Sequence, residues 1–236
     1  MRINRYIAAS GVTSRRKADE LIANGRVQVN GRPAQAGMTV GSDDRVTVDG
    51  KEIRPREDRV IIAFNKPPGI TSTSDPGRRD NIIDFINYPR RIFTVGRLDR
   101  DSRGLILLTD DGSLAHQIMH SSNKNEKEYQ VTVDRPLTDA FLSQMEKGVR
   151  IGGRTTLPAR AWRSGERSFH IVLCQGMNRQ IRRMCEALGY QVTDLVRVRI
   201  MHITLGSLAE GTYRELTFKE RQDLDHLLQQ AKSGRP

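Results

Sequence analysis

The chain has 236 residues, 36% of them hydrophobic, and a mean hydropathy of −0.57, which is typical of a water-soluble globular protein that can bury a core. Its formal net charge of +11 and pI near 10.2 indicate a polyanionic partner, nucleic acid first and an anionic membrane second. The N-terminal segment lacks the apolar core of a signal peptide, and no apolar run approaches the ~18 residues of a membrane helix. We therefore expect a cytoplasmic protein.

Residues 1–48 are predicted to form a small basic module. Helices are expected over 3–9 and 15–23, the second capped by Ser14, and an alternating strand from Val27 turns at Asn30-Gly31. Seven basic and two acidic residues fall within positions 1–32, so seven minus two gives +5. A basic face of this kind can hold phosphate, or it can simply be solvated. The side chains that we expect to contact nucleic acid are Arg15, Arg16, Lys17, Arg26 and Arg32.

A polar stretch over 49–59, without periodicity, is the predicted linker to a second domain over 60–236. That domain is expected to alternate buried strands and amphipathic helices. Strands are predicted over 60–64, 105–108, 126–133, 149–175 and 192–205, and helices over 81–86, 113–119, 138–147, 178–188 and 217–231. Trp162 is expected to pack between strands, and Leu224, Leu227 and Leu228 should dock the last helix on the sheet.

Residues 95–112 combine a loop of opposed charges with an unbroken apolar run from Leu105 to Leu108. The run predicts a strand buried on both faces, so the loop before it is attached to the start of a rigid element. On charge alone, a solvated loop is the more common explanation. The charged residues of this loop are Arg97, Asp99, Arg100, Asp101 and Arg103.

A second unusual segment opens the helix after Gly176. Asn178 is the predicted N-cap, and the first turns carry Arg179, Arg182 and Arg183. Positive charge at a helix N-terminus opposes the helix dipole, which favours anions there. These arginines are therefore badly placed for stability alone, which suggests a functional role.

No cofactor or metal is predicted. The sequence has neither a Walker loop nor a dinucleotide fingerprint. His116 and His120 stand four apart on a predicted helix, but no third ligand follows at a matching spacing. The cysteines, Cys174 and Cys185, are too few for a disulfide framework, and we expect reduced packing residues.

The amino-acid sequences of these segments resemble motifs of a known family. Gly96-Arg97-Leu98-Asp99 with Ser102, Gly104-Leu105, Leu108-Thr109 and Gly112 resembles the active-site segment of the RsuA/RluB/RluE/RluF family of pseudouridine synthases, and "NRQIRRM" from Asn178 resembles its closing motif. The phrase "RRDNIIDFIN" before the loop favours the RluF branch. Residues 1–48 resemble the S4 RNA-binding module, including the 41–44 turn.

The resemblance implies roles for particular residues. Asp99 would be the catalytic residue, Tyr129 would stack against the target base, and Arg182, with Arg183 as the fallback, would pair with the catalytic carboxylate. Arg97 would hold the flipped nucleotide or its phosphate. Lys66, in a Lys-Pro-x-Gly turn beside the active site, could touch RNA or serve only the turn, and Arg179 is a further candidate RNA contact.

We therefore expect an α+β protein with an S4 module before a catalytic domain built on a mainly antiparallel mixed sheet. The leading hypothesis is a monomeric, cofactor-free synthase acting on a uridine of large-subunit ribosomal RNA. A tRNA or small-subunit ribosomal RNA is the alternative substrate. The rival from another class is a non-catalytic S4-type RNA-binding protein, which would explain the charge but would not require Asp99, Tyr129 and the 178–183 motif together.

Overall fold

The structure is a computed structural model, and it describes residues 1–75, 77–119 and 125–233. The chain divides into two compact units. The smaller unit comprises residues 1–60 with the short segments 89–92 and 110–112, and the larger unit comprises the remainder. Within the described ranges, no helix is long and apolar enough to cross a membrane.

The smaller unit packs two helices on a four-stranded sheet in the order β2-β1-β3-β4, antiparallel throughout. Its core is small and aliphatic, centred on Ile3, Ile7, Val27 and Val46. Its elements are α1 (Ile3–Ala9), α2 (Arg15–Ala23), β1 (Val27–Val29), β2 (Arg32–Pro33), β3 (Val46–Val48) and β4 (Lys51–Ile53). The two helices have the predicted bounds, and the Ser14 hydroxyl caps α2 by accepting from the N–H of Lys17 at 3.3 Å.

The turn between β1 and β2 shows why the Asn-Gly pair predicts a hairpin. Asn30 and Gly31 both have positive φ, 51° and 78°, as a two-residue type I′ turn requires. Asn30 also bonds across the sheet, accepting from the N–H of Arg45 and donating to Asp44, whose other oxygen accepts from the N–H of Gly41. The Gly41 N–H and the Asn30 amide hold the pKa of Asp44 below its usual range. The hairpin and the 41–44 turn therefore stabilise each other.

The predicted linker over 49–59 differs from the structure at its start. Lys51–Ile53 forms β4, and Asp49 and Gly50 make a tight turn with φ of 48° and 76°. An edge strand with one solvated face carries polar side chains, and here Glu52 accepts from Arg45 and Arg54 on that face. Because its side chains are polar, the sequence pattern did not distinguish β4 from a loop.

The larger unit is built on one mixed sheet in the order β11-β12-β8-β13-β7-β5-β15, with β6 on β7 and β14 on β13. Among the described strands of this sheet, only β13 and β7 pair in parallel, so the expected mainly antiparallel mixed sheet is confirmed. The strands are β5 (Ile61–Lys66), β6 (Phe93–Val95), β7 (Arg103–Thr109), β8 (Lys127–Val133), β9 (Arg150–Ile151), β10 (Arg154–Thr155), β11 (Arg160–Arg163), β12 (Ser168–Leu173), β13 (Val192–Ile200), β14 (Ile203–Thr204) and β15 (Tyr213–Glu215).

Helices cover this sheet in two groups, each over its own core. The helices are α3 (Ile82–Ile86), α4 (Gly112–Met119), α5 (Asp139–Lys147), α6 (Gln180–Ala187) and α7 (Phe218–Ser233). Phe141 of α5 and Met184 of α6 pack on β8, β12 and β13, whereas Leu114 of α4 and Leu224 of α7 pack on β5 and β7. The strand predicted over 105–108 is completely buried, as expected.

Two expected side-chain positions and the set of predicted strands differ from the structure. Trp162 is 43% exposed and stacks on the ring of His170, because β11 is an edge strand with one open face. Leu227 is exposed, while Leu224 and Leu228 are buried one turn apart. The third difference is β15, a short edge strand whose exposed Tyr213 and Glu215 give no hydrophobic alternation to detect.

Glu220 closes the N-terminus of α7 and supports a stability prediction. Its carboxylate accepts two bonds of 2.7 Å from Arg214 and one of 2.8 Å from the N–H of Thr217. The Arg214 guanidinium, more than any other group, lowers the pKa of Glu220 to about 2. We expect Glu220→Gln to lower the free energy of unfolding by about 2 kcal/mol at pH 7, because charge-assisted bonds to a helix cap are lost.

The sign of the pH dependence follows from the direction of this shift. A depressed carboxyl pKa stabilises the fold above the unfolded value near 4.5, and this contribution is lost as pH falls toward about 2. Urea denaturation should therefore show the wild-type advantage at pH 7 and its decline below pH 4.5. Asp223→Asn is the control, since its exposed pair with Lys219 should contribute little. A difference between wild type and Glu220→Gln that did not change with pH would contradict the assignment.

Candidate active site

The loop between β6 and β7 carries the candidate carboxylate. It begins at Gly96, and a second glycine, Gly104, follows the loop as the second residue of β7. Gly96 and Gly104 have φ of 80° and 102°, values that side-chain-bearing residues rarely adopt. The loop leads into β7, which lies between β13 and β5 in the interior of the sheet. Asp99 sits at its middle with about 30% of its side chain exposed. A rigid strand therefore presents a partly accessible carboxylate.

The backbone of this loop is held at five successive carbonyl groups. The Ser72 hydroxyl donates to the carbonyl of Leu98 at 3.0 Å and accepts from its N–H at 3.2 Å. The N–H of Gly69 donates to the carbonyl of Arg100 at 2.7 Å. The other bonds are Arg197 Nη1 to the Arg97 carbonyl, Ser102 N–H to the Asp99 carbonyl and Arg182 Nη2 to the Asp101 carbonyl. Such a network limits how far the Asp99 side chain can be displaced.

The arginine nearest to Asp99 is not the expected one. Arg179 Nη1 lies 4.0 Å from Asp99 Oδ2 and 3.2 Å from Asp101 Oδ1. Arg182 lies 3.4 Å from the carboxylate of Asp101 and bonds to the Val192 carbonyl and the Ser102 hydroxyl. The predicted pairing of Arg182 with Asp99 is therefore corrected: Arg182 supports the loop through Asp101, and Arg179 faces both carboxylates.

The start of α6 explains how Arg179 reaches this position. The helix begins at Gln180, and Arg179, with φ of 48°, is the N-cap residue in place of the predicted Asn178. The Gln180 side chain accepts from the N–H of Met177 at 3.0 Å, which satisfies a backbone donor before the helix. The left-handed conformation of Arg179 directs its side chain toward the 99–101 loop rather than along the helix.

Arg183 takes a different direction. Its guanidinium lies against Gly152 in the turn between β9 and β10, so close that a Cβ added at Gly152 would be 2.5 Å from Nη2. The structure therefore does not bring this fallback residue to Asp99. A helix places neighbouring residues about 100° apart, which sends Arg182 and Arg183 to different neighbours.

An open cleft of about 570 Å³ surrounds Asp99. Its walls include Asp99, Asp101 and four arginines, namely Arg78, Arg97, Arg100 and Arg179. Arg97 is exposed, in agreement with its expected availability to an RNA phosphate. Excess positive charge around a single cleft would attract the polyanionic backbone of a nucleic acid.

Tyr129 lies in β8, directly opposite Arg197 of β13 and Ile171 of β12. Its side chain is partly buried and packs beside the core beneath α5 and α6. β13 lies between β8 and β7, the strand that follows the Asp99 loop. Tyr129 is thus one strand removed from β7.

Lys66 is completely buried at the end of β5, which corrects its assignment as a candidate RNA contact. Its ammonium donates to the carbonyl of Pro67 at 2.8 Å and to that of Arg100 at 3.4 Å. Burial lowers its pKa to about 8, against the attraction of Asp101 and Asp99. Lys66 therefore serves the loop and the Pro67-Pro68-Gly69 turn.

In the smaller unit the basic residues expected to contact RNA are all exposed, but they differ in whether an acidic side chain neutralises their charge. Arg15, Arg16 and Lys17, at the start of α2, have no acidic partner among the described residues. Arg26 is bound by Asp49 through bonds of 2.8 and 2.5 Å, which raise its pKa and neutralise its charge locally. Arg32 is exposed on β2. The α2 cluster is therefore the better candidate for phosphate.

The remaining expectations concern metals and thiols. His120 lies outside the described residues, and among those that are described no group of three or more metal-ligating side chains occurs. Cys185 lies on the buried face of α6, and burial raises the pKa of its thiol to about 12. Cys174 is a partly buried free thiol.

Two residues of the site were not predicted. Ser72 lies in a polar loop, and Arg197 lies in a strand where a charged residue should be solvated. Both are almost completely buried, with 4% and 3% exposed. The alternation of Val196, Val198 and Ile200 with Arg197 and Arg199 indicates a polar face for both arginines, and no local pattern singles out Ser72.

Comparisons with known proteins agree with this architecture. The family model described as RNA pseudouridylate synthase matches residues 60–187, and the S4 domain model matches residues 1–46. The "Dual-specificity RNA pseudouridine synthase RluF" of Salmonella typhi is 49% identical over 234 residues, 98% of this chain and 81% of that protein. The "Ribosomal large subunit pseudouridine synthase B" of Bacillus subtilis is 36% identical over 99% of both chains.

A solved structure supports the same conclusion. A crystal structure of a pseudouridylate synthase is 30% identical, covers 95% of this chain and 99% of its own, and superposes with a TM-score of 0.70. The predicted α+β fold with an S4 module is confirmed by these matches. The chain belongs to the RNA pseudouridylate synthase family and is an RNA pseudouridine synthase of the RsuA/RluF type.

Proposed function

We propose that this enzyme converts a specific uridine of large-subunit ribosomal RNA to pseudouridine, with Asp99 as the catalytic carboxylate. The observation that carries the proposal is a partly exposed carboxylate on a loop held at five carbonyl groups, inside a cleft lined by four arginines. The names of the relatives support the substrate: the Bacillus protein is named for the ribosomal large subunit, and the Salmonella protein is named dual-specificity.

The reaction sets the demands on the site. The C1′–N1 bond of uridine breaks, the uracil rotates, a C1′–C5 bond forms, C5 loses a proton and N1 gains one. No electrons are gained or lost, so the isomerisation needs no redox cofactor. The base must leave the RNA stack to reach a protein group, which costs a few kcal/mol that contacts elsewhere must offset.

Asp99 would act in its charged form, either by attack on the nucleotide or by removal of a sugar proton. Arg179, at 4.0 Å, supports the charged carboxylate without a close bond that would block access to it. Tyr129 would provide an aromatic surface for the flipped base. Arg97, on the exposed wall of the cleft, would hold the flipped nucleotide or its phosphate.

The S4 unit would supply binding energy through α2, while Asp99, the adjacent Arg179 and the loop-supporting Arg182 all come from one chain. We therefore propose a monomer, and the cytoplasm as the compartment where it meets its RNA. A second RNA target, with tRNA the first candidate, would fit the dual-specificity name of the Salmonella relative.

The test is a map of pseudouridines in ribosomal and transfer RNA from cells with and without the gene, read as carbodiimide-dependent reverse-transcription stops. We expect the loss of at least one stop in large-subunit ribosomal RNA, restored by the wild-type gene and not by Asp99→Asn. Loss confined to small-subunit ribosomal RNA or tRNA would overturn the substrate. If every stop persisted, the proposed function would be rejected.

The basic start of α2 leads to a separate prediction. Replacing Arg15, Arg16 and Lys17 together by glutamine should weaken RNA binding, because three phosphate contacts are lost. The slope of log affinity against log salt should become shallower by about two to three. Filter binding across a salt series measures both quantities.

The matched control is Arg45→Gln with Arg54→Gln. These arginines are also exposed in the smaller unit but share the carboxylate of Glu52. Their loss should change affinity and salt slope much less. Equal effects of the two variants would mean that the whole basic unit, rather than the α2 cluster, attracts RNA.

A further inference from the structure

Arg197 is a buried cation in the middle of β13. Only 3% of the residue is exposed, and its backbone lies opposite Tyr129 on one side and Gly104 on the other. Removing a guanidinium from water is costly unless its N–H groups find partners. A residue that only packed the sheet would be apolar, like Leu195 two positions earlier.

The partners of Arg197 are in the loop that carries Asp99 and in the strand that follows it. Nε donates to the carbonyl of Leu105 in β7 at 2.6 Å, and Nη1 donates to the carbonyl of Arg97 in the loop at 3.4 Å. These two residues flank the segment 98–104, so one planar group links the loop to the strand. No carboxylate within the described part of the chain lies at ion-pair distance from Arg197, and Nη2 is buried without a hydrogen-bond partner there.

These contacts differ from those of the next arginine on the strand. Arg199 is partly buried, but it pairs with Glu128 of β8 at 2.9 Å and with Glu126, just before that strand, at 3.2 Å. Its charge is balanced, and it also donates to the carbonyl of Met201 within the same hairpin. Arg199 thus stabilises the sheet, whereas Arg197 links β7 to the Asp99 loop.

We propose that Arg197 is a positioning residue, which holds the Asp99 loop by bonding both to the carbonyl of Arg97 in the loop and to the carbonyl of Leu105 in β7. This inference rests on the proposed role of Asp99 as the catalytic carboxylate. Catalytic groups must be held within about 0.5 Å of their working position, and a misplacement of about 1 Å can cost about 100-fold in rate. Arginine suits the task because its fork is rigid and remains charged at any physiological pH.

The experiment compares Arg197→Met, Arg197→Lys and Arg199→Met in single-turnover assays at saturating substrate RNA, with RNA affinity and urea unfolding measured on each protein. For Arg197→Met we expect a rate constant about 100-fold lower and an affinity within about threefold of wild type. Arg197→Lys should recover part of the rate, because an ammonium can reach one carbonyl but not both. Arg199→Met should lose stability and keep its rate.

Two results would overturn the inference. The first is a folded Arg197→Met with a rate within about threefold of wild type. The second is that, in both Arg197→Met and Arg199→Met, the loss of rate is proportional to the loss of stability. Should Arg197→Met not fold, the decision falls to Arg197→Lys, for which about tenfold slower turnover is expected. Asp99→Asn in the same assay separates the two proposals. If Asp99→Asn is inactive and Arg197→Lys is unaffected, only the positioning role fails, whereas an active Asp99→Asn removes the proposed function's catalytic assignment.

Discussion

Asp99→Asn should abolish turnover while leaving RNA binding nearly intact. The amide has the size and hydrogen-bonding capacity of the carboxylate but cannot act as a base or nucleophile, so the single-turnover rate should fall by at least about 1,000-fold. The affinity for RNA should stay within about twofold, since the basic cleft and the α2 cluster are unchanged. The ion pair lost with Arg179 is long and exposed, so its effect on stability should be small.

Asp101 provides the matched control in the same loop. It contacts Arg179 at 3.2 Å and Arg182 at 3.4 Å, closer than Asp99 does, and its own side chain is 50% exposed. Asp101→Asn should therefore loosen the loop and lower the rate by only about tenfold. If Asp101→Asn were inactive and Asp99→Asn active, the catalytic carboxylate would be Asp101, and Asp99 would only support the loop.

Local patterns predicted the parts of this fold that local bonds determine. Ser14 caps α2, Asn30-Gly31 forms a hairpin turn, and Thr217 with Glu220 forms a capping box. In each case the groups that bond are within four residues of one another in the sequence. The residue types then carry nearly all of the physical information.

Edge elements were harder to predict for the opposite reason. β4 and β15 each have one neighbour in the sheet and expose polar side chains, so neither shows an apolar alternation. Trp162 was expected between strands because a large apolar ring usually is buried. Its exposure depends on β11 being the last strand, which is a property of the whole sheet.

The same distinction between local and long-range determinants applies to the residues of the candidate active site. The Asp99 loop and the arginines of α6 could be found from residue types and from resemblance. The direction of each arginine could not, because it depends on the left-handed backbone at Arg179 and on which neighbour each side chain meets. Burial of Lys66 and Arg197 likewise follows from strand order, since both lie next to β7 in the interior of the sheet.

Gly104 occupies a crowded position on β7. A Cβ added there would lie 2.4 Å from the carbonyl oxygen and 2.7 Å from the nitrogen of Arg197, and 3.0 Å from Val196 Cγ1. The first two are backbone atoms of β13, which pairs with β7 in parallel, so no side-chain rotation can relieve the contact. Gly104→Ala should therefore separate the strands at the point where Arg197 reaches the Asp99 loop.

We expect Gly104→Ala to lower the free energy of unfolding by more than about 3 kcal/mol, or to prevent folding of the larger unit. Gly189→Ala separates the steric effect from backbone strain, because Gly189 also has positive φ, 81°, but nothing lies within 4 Å of its added Cβ. That control should lose only about 1–2 kcal/mol in urea denaturation. Equal losses in the two variants would show that β7 and β13 are not in such close contact. A larger loss at Gly104 would establish that the approach of β13, and with it the place of Arg197 under the Asp99 loop, requires a residue without a side chain.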